Sequence, residues 1–400
     1  MKVLFATFSP WHNGLRLPIN GMIEPMLSVF LPKTEEFVLI DEPHPGSDRV
    51  MPIIEIYKDG KLKEKTTFST PLFWLYPFLI IRNTVGTRIP FKLRDFLTVL
   101  LFGLFQGTKY DLFIGLESIN ALAGVVLKKL GVVRTVVYYV SDFSPSRYKA
   151  GWFNRIYLWL DTTAATHCDY IWDVSLAMMP ERIKGGLDKK YASKLIHVPN
   201  AMFPDQIDYL PLKNVIPNSL MFAGTLGVEN GPDLAIETFA LVVKDIPDST
   251  LHIYGGGDSD LDRLKKLASN LQLEDKVFFH GFFTDQVKLS REIRKYALGL
   301  APYKAIPGSP RWFADATKTR LYLAAGLPVV TTQVPPLGKE IERDGAGVVA
   351  EDNAHDQASA ITLILKNAQH YKKMREAAIK RAKNNTWENT YSQALKKMKI

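Results

Sequence analysis

Four hundred residues exceed what one compact core organises and fit two domains of ordinary size. Apolar residues make up 46% of the chain, as in water-soluble globular proteins, and no apolar run reaches the length a membrane-spanning helix needs. A formal charge of +9 points to anionic partners, and the single cysteine, Cys168, excludes an internal disulfide framework and fits a reducing compartment. The N-terminal MKVLFATFSP opens on a strand without the layout of a signal peptide, so the chain is read as cytoplasmic.

Val3–Phe8 reads as an apolar strand followed by a loop from Ser9 to Leu15, around Gly14. Ligands of open α/β sheets bind beyond the carboxyl ends of strands, so this loop is expected at a binding cleft. His12 and Asn13 there either touch a substrate or are plain surface residues. Phe37–Asp41 reads as a second strand, and Ile53–Tyr57 and Lys65–Phe68 flank Asp59-Gly60, a tight-turn signal. Residues 71–105 hold two apolar runs, 72–81 and 96–105, with Arg82, Arg88, Lys92 and Arg94 between them. Aromatic and basic residues side by side fit either peripheral contact with an anionic membrane face or two core helices.

Tyr110–Gly115 reads as a buried strand with Glu117 and Ser118 at its carboxyl end, ahead of a helix over 119–130. Arg134–Val140 is a further strand, ending in Ser141-Asp142-Phe143-Ser144-Pro145. Asp142 stands where an acceptor hydroxyl would be held or deprotonated, or else it caps a turn. Arg147, Tyr148 and Lys149 fit an anionic part of an acceptor or a solvated loop. Met202–Asn218, rich in Pro, Asp and Asn, reads as a linker.

The densest signals lie in Arg311–Thr332, RWFADATKTRLYLAAGLPVVTT. Ala314–Ala325 reads as a helix closed by Gly326, and Leu327-Pro328 leads into the β-branched run Val329–Thr332. Asp315, Thr317, Lys318, Thr319 and Arg320 crowd the helix N-terminus, with Lys318 expected exposed in the first turn. Free N–H groups and the partial positive charge of a helix N-terminus, joined by a lysine, make a diphosphate site. The same pattern also fits an amphipathic helix whose first turn is merely solvated.

Lys318-x-x-x-Tyr322-Leu-Ala-Ala-Gly326-Leu-Pro328-Val-Val330 resembles the donor-site helix of GT-B glycosyltransferases of the family 4 type, which holds the diphosphate of a nucleotide sugar. Phe222-Ala-Gly224-Thr225-Leu226 resembles the glycine turn that opens their donor domain. Leu251–Gly257 is similar to its second strand and glycine-rich turn, Val277–Gly281 to the strand ending beside the nucleobase, and Ala301-Pro302-Tyr303 to the strand end before the donor helix. Leu195–Ala201 resembles the family's VPNG exit from the first domain. The resemblance is strongest over 195–365.

It implies an α/β chain with two Rossmann-like domains facing a cleft, 1–204 for the acceptor and 205–384 for the donor, with a C-terminal helix in 385–400 crossing back to the first. It implies a metal-independent transferase moving a sugar from a nucleotide-diphosphate sugar to the hydroxyl of a saccharide or lipid-linked acceptor, in envelope or exopolysaccharide synthesis. No cofactor and no nucleic-acid partner are expected: the histidines are scattered, and the positive charge is not gathered into one recognised nucleic-acid-binding motif. Gly14, Gly224, Thr225, Thr317 and Thr319 would surround the donor, with His280, Phe282 and Phe283 by its base. Lys318 and Asp142 would be catalytic. Glu117 is the alternative to Asp142 as a base, and Glu340 either holds the ribose or caps a helix.

The departures from the family are equally specific. Phe313 and Leu321 stand where many of these enzymes have two glutamates, and Thr225 and Asn230 where they have an arginine and a lysine. Lys318, with Arg311 and Arg320 behind it, is left to supply charge at the diphosphate. A sugar-nucleotide epimerase and a non-catalytic nucleotide-binding partner are the other readings of the same fold.

Overall fold

The computed structural model describes residues 1–17, 22–70, 85–148, 151–256, 258–283 and 286–400. The apolar run 72–81 expected at a membrane face, together with Arg82 and Lys149, lies outside them. Contacts divide the chain into Met1–Val198 with Tyr391–Ile400, and Pro199–Thr390. The divide falls at Val198 because the residues after it are tied to the second unit. Asn200 N donates to Asp315 Oδ2 (2.6 Å), Asn385 Nδ2 donates to Asn200 O (2.9 Å), and Met202 bridges to Thr386.

The first unit runs β1 (Lys2–Ser9), β2 (Trp11–His12), β3 (Leu15–Arg16), α1 (Ile23–Phe30), β4 (Glu36–Pro43), β5 (Ile53–Lys58) and β6 (Lys61–Thr67). It continues through α2 (Val85–Phe105), β7 (Tyr110–Leu116), α3 (Glu117–Lys129), β8 (Val133–Val140), α4 (Trp152–His167), β9 (Tyr170–Asp173), α5 (Met178–Lys184) and β10 (Leu195–His197). Its sheet is ordered β10-β9-β8-β7-β1-β4-β5-β6. The strands from β10 to β4 are parallel, and β5 and β6 form an antiparallel margin. Chain order reverses between β1 and β7, and crevices open at the carboxyl ends of strands at such a reversal.

The segment 9–15, expected as a loop, is instead the hairpin β2–β3. Asn13 (φ 50°) and Gly14 (φ 73°) form its two-residue turn, and both need the left-handed backbone that Asn and Gly accept. Trp11 Nε1 (3.1 Å) and Arg16 Nε (2.8 Å) both donate to the buried Asp41 and clamp the hairpin to the end of β4.

The second unit runs β11 (Ser219–Ala223), α6 (Pro232–Asp245), β12 (Thr250–Tyr254), α7 (Asp258–Asn270), β13 (Val277–Gly281), α8 (Gln286–Ile293) and β14 (Leu298–Ala301). It continues through α9 (Thr317–Ala324), β15 (Val329–Thr331), α10 (Leu337–Arg343), β16 (Gly347–Val349), α11 (Ala354–Lys366), α12 (Ala368–Asn384) and the start of α13 (Trp387–Met398). All six strands are parallel, ordered β13-β12-β11-β14-β15-β16, a doubly wound sheet that reverses between β11 and β14. Alternation along β11 explains the two-sided core: Phe222 packs with Ile236 and Phe239 on one face, and Met221 packs with Tyr322 and Leu323 on the other. Tyr391 of α13 packs with Phe30, Tyr139 and Trp172, so the C-terminus belongs to the first unit.

Candidate functional site

At the β11–β14 reversal the chain leaves Ala223 through Gly224, whose φ of 143° is one that side-chain-bearing residues rarely adopt. Directly against this turn lies the Lys318 ammonium. A Cβ built at Gly224 would stand 3.4 Å from Lys318 Nζ. That nitrogen is buried and has no hydrogen-bond partner among the described residues. It is sandwiched between the rings of Phe222 and Tyr303, at 4.3 Å from each centroid. These rings cap β11 and follow β14, so the sheet reversal itself builds the sandwich.

Desolvation, reinforced by the Arg311 guanidinium, holds the Lys318 ammonium well below the usual lysine range. Two rings attract a cation but donate no lone pair, so an anion at the Gly224 turn would complete the site. Lys318 stands in the first turn of α9, whose unpaired N–H groups add to the same positive field.

Tyr322 fixes α9 to the strand ends. Its buried hydroxyl accepts from Ala223 N (2.7 Å) and donates toward Leu300 O (3.3 Å), thus bridging β11 and β14. Tyr322→Phe would leave the Ala223 N–H buried and unpaired. The expected loss of about 1–3 kcal/mol is to be read from the midpoint of denaturant unfolding.

In the first unit the corresponding reversal presents Glu117, the residue after β7. Its backbone is left-handed, with a φ of 66°. Such strain in a non-glycine residue costs of order 1–3 kcal/mol and concentrates at functional sites. Ser141 Oγ donates to its carboxylate (3.1 Å). Burial pushes the Glu117 carboxyl up, Arg147 counteracts this, and Asp142 adds to it. Asp142 forms an ion pair with Arg147 (2.7 Å), and its side chain is 55% exposed. Glu117, Asp142 and Arg147 all line a cavity of about 960 Å³, within the roughly 300–1,000 Å³ of small-molecule sites.

Residues 217–367 match the family described as Glycosyl transferases group 1. This segment is a glycosyl transferases group 1 domain. A poly(glycerol-phosphate) alpha-glucosyltransferase of Bacillus subtilis is 29% identical over 150 residues, covering 37% of this chain and 21% of that relative. The chain thus spans about a fifth of that curated relative's length. Among solved structures, Anabaena HepE in complex with UDP has a TM-score of 0.69 at 15% identity, with 100% of each chain covered. WaaG, a glycosyltransferase involved in lipopolysaccharide biosynthesis, has a TM-score of 0.61 at 14% identity, with 98% of each chain covered. These two likenesses establish the fold.

Within the group 1 domain the expected donor residues separate into two sets. Gly224 and Lys318 meet at one point. His280 and Phe283 gather around Tyr254, at the end of β12. His280 stacks on Tyr254 (4.4 Å, 12°), and Phe283 meets that ring edge-on (5.4 Å). Gly224 N donates to Tyr254 O and Gly255 N to Gly281 O, both at 2.9 Å, which ties this aromatic cluster to the Gly224 turn. His252 Nδ1 faces His280 Nε2 at 3.0 Å, and burial together with that neighbour lowers His252 to about 4. Phe282 is 70% exposed.

The other set has different work. Helix α9 begins at Thr317 rather than 314, because Asp315 accepts both Asn200 N and the guanidinium of Arg320 (2.7 Å). Arg320 is therefore a buried structural partner of Asp315 and not a reserve for the diphosphate. Thr319 is buried, and its hydroxyl donates back to Ala316 O (2.7 Å). Thr317 is exposed. Glu340 accepts from Arg381 Nη2 (2.9 Å), a tie between α10 and α12. Thr225 and Asn230, the positions of the family's basic pair, bond to each other through Asn230 Nδ2 and the Thr225 hydroxyl and carbonyl. Gly14 is the hairpin turn, with its N–H on Asp48 Oδ2 (3.1 Å).

The rings of Phe222, Tyr303 and Tyr254 were not singled out from sequence. Each borders a glycine or proline turn at the carboxyl end of a parallel strand, the position where they could have been found. Among the described residues no group of three or more His, Cys, Asp or Glu is placed to hold a metal ion, and no helix is long and apolar enough to cross a membrane.

Proposed function

We propose that the protein is a glycosyltransferase that binds a nucleotide-diphosphate sugar on its second unit and an acceptor hydroxyl on its first. The observation that carries this reading is the buried, unpartnered Lys318 ammonium against the Gly224 turn of a group 1 domain. The diphosphate would neutralise Lys318 and receive the N–H groups of α9, and the base would meet His280, Phe282 and Phe283. Glu117 holds the acceptor hydroxyl. The acceptor oxygen bonds to the anomeric carbon as the bond from that carbon to the diphosphate breaks. The bonding pair leaves with the nucleoside diphosphate, and the hydroxyl proton passes to Glu117. Asp142 keeps Arg147 in place beside it.

Lys318 and α9 supply the positive charge that the leaving group needs, so the reading includes transfer without a metal. Envelope or exopolysaccharide synthesis is the setting proposed, since WaaG, of similar fold, is involved in lipopolysaccharide biosynthesis.

Thermal stabilisation by a panel of nucleoside diphosphates and nucleotide sugars tests the donor half. A ligand that binds only the folded protein adds roughly 2.7 kcal/mol at about 100 times its dissociation constant. One base is expected to give a clear shift. No shift with any of them would transfer the chain to the class of non-catalytic partners, in keeping with the missing basic pair at Thr225 and Asn230.

A further inference from the structure

The first unit's cavity has two chemically different ends. Helix α3 packs against both α2 and α4 and floors a groove between them. Along the groove run Ile89 and Leu93 of α2, Leu122 and Val126 of α3, and Ile156 and Trp159 of α4. Four of these are large apolar side chains left open: Ile89 46%, Leu93 47%, Ile156 43% and Trp159 64% exposed. Exposed apolar residues are normal when scattered, but several along one cavity mark a binding surface. The lining follows α3 from Glu117 to Lys129, about 18 Å at 1.5 Å per residue.

The other end, at the carboxyl ends of the strands, is acidic. Glu42, Glu117 and Asp142 line it. Glu42 is buried; Asn120 Nδ2 donates to its Oε2 (2.9 Å), while its Oε1 has no partner among the described residues. Of the nearby cations, Arg147 pairs with Asp142 (2.7 Å), and Lys92 shares Asp95 (3.3 Å) with the buried Arg94. The Glu117 carboxylate, which accepts from Ser141 Oγ, is left to disfavour a phosphate and welcome hydroxyl donors.

We propose that this groove takes the hydrocarbon chain of an uncharged, hydroxyl-bearing amphiphile whose head lies at Glu117, and that this amphiphile is the sugar acceptor. The acceptor role rests on the transferase reading; the binding site does not. It chooses an apolar-tailed acceptor over a free saccharide, and a neutral head over a phosphorylated one.

The test is a series of alkyl β-glucosides from methyl to octyl, each below its micelle concentration, titrated against the full chain by calorimetry, with octyl phosphate as the charged comparison. Affinity should rise about fourfold per methylene until the groove is full, the factor that corresponds to ~0.8 kcal/mol per buried CH₂. Leu93→Ser and Trp159→Ala, both at exposed positions, should flatten that dependence without unfolding the chain. Octyl glucoside should also accept sugar with a lower KM than methyl glucoside.

Equal affinity for methyl and octyl glucoside, or tighter binding of octyl phosphate than of octyl glucoside, would overturn the proposal. Chain-length-dependent binding without better acceptor behaviour would overturn the acceptor role. Nucleotide-induced stabilisation in the same samples separates the two readings. A normal nucleotide shift with no chain-length dependence removes the groove and leaves the transferase. The reverse pattern removes the transferase and leaves the groove.

Discussion

Lys318→Met is expected to weaken nucleoside-diphosphate binding by roughly 30- to 1,000-fold, about 2–4 kcal/mol, while raising the melting temperature of the ligand-free protein. The loss follows from removing the cation that an anion at Gly224 would pair. The gain follows from removing a desolvated ammonium whose neighbours are two rings and no acceptor. Methionine is the informative replacement because it fills the space between Phe222 and Tyr303, where alanine would add a cavity to the measurement.

The pH dependence has a definite sign. In the free protein Lys318 loses its proton more readily than in the unfolded chain, since burial lowers it well below the ordinary value. The folded state thus binds fewer protons than the unfolded one, and stability rises with pH between the lowered value and the usual lysine range. An arriving diphosphate restores the charge, so binding takes up a proton and affinity falls with rising pH across that same window. Calorimetry in buffers of different ionisation enthalpy should report this uptake in the parent protein and its disappearance in Lys318→Met. Undiminished affinity in the variant would remove the diphosphate assignment.

The expectation of an exposed Lys318 fails at its ammonium, for a reason local patterning cannot supply. Spacing places Lys318 correctly in the first turn of a helix, but Phe222 lies nearly a hundred residues earlier and comes beneath it only when β11 and β14 pair. Gly224, Gly326 and the Val329–Thr331 strand were legible because each is a local signal: a glycine turn, a helix stop, a β-branched run. Glu340 and Arg320 mark the complementary limit of local patterning. A charged residue near a site is indistinguishable in sequence from one that ties two helices or holds a turn, and here Arg381 and Asp315 claim them. The Asn13-Gly14 hairpin was signalled by its residue pair and was missed because the flanking strands are only two residues each.

Glu117 is the counterpart case. Nothing in Leu116-Glu117-Ser118 announces a left-handed glutamate, because strain of that kind is imposed by the surrounding fold. Asp142, with its neighbouring proline and strand end, drew more attention in sequence but is the more exposed of the two and is neutralised by Arg147.

Glu117→Gln is therefore expected to reduce transfer by about 10²–10⁴-fold, the usual range for loss of a general base, with donor binding unchanged. Asp142→Asn should cost far less. An exposed ion pair contributes about 0–1 kcal/mol, so its loss loosens Arg147 without removing the group that meets the acceptor. Glu117 must be ionised to work, and burial raises its carboxyl. The acid limb of the transfer rate should accordingly lie above the ordinary carboxylate range in the parent enzyme and be absent from the residual activity of the variant.

Stability moves the other way. A carboxyl raised in the folded state binds its proton more tightly than in the unfolded chain, so stability falls as pH rises from the ordinary carboxylate value through the folded one. Glutamine removes that slope, and the variant should melt above the parent at neutral pH and not at acidic pH. A residue retained only for packing would show neither the displaced acid limb nor the crossing of the two melting curves. Full turnover in Glu117→Gln together with its loss in Asp142→Asn would return the acceptor's hydroxyl to Asp142, and would make the strain at Glu117 a consequence of the β7–α3 turn alone.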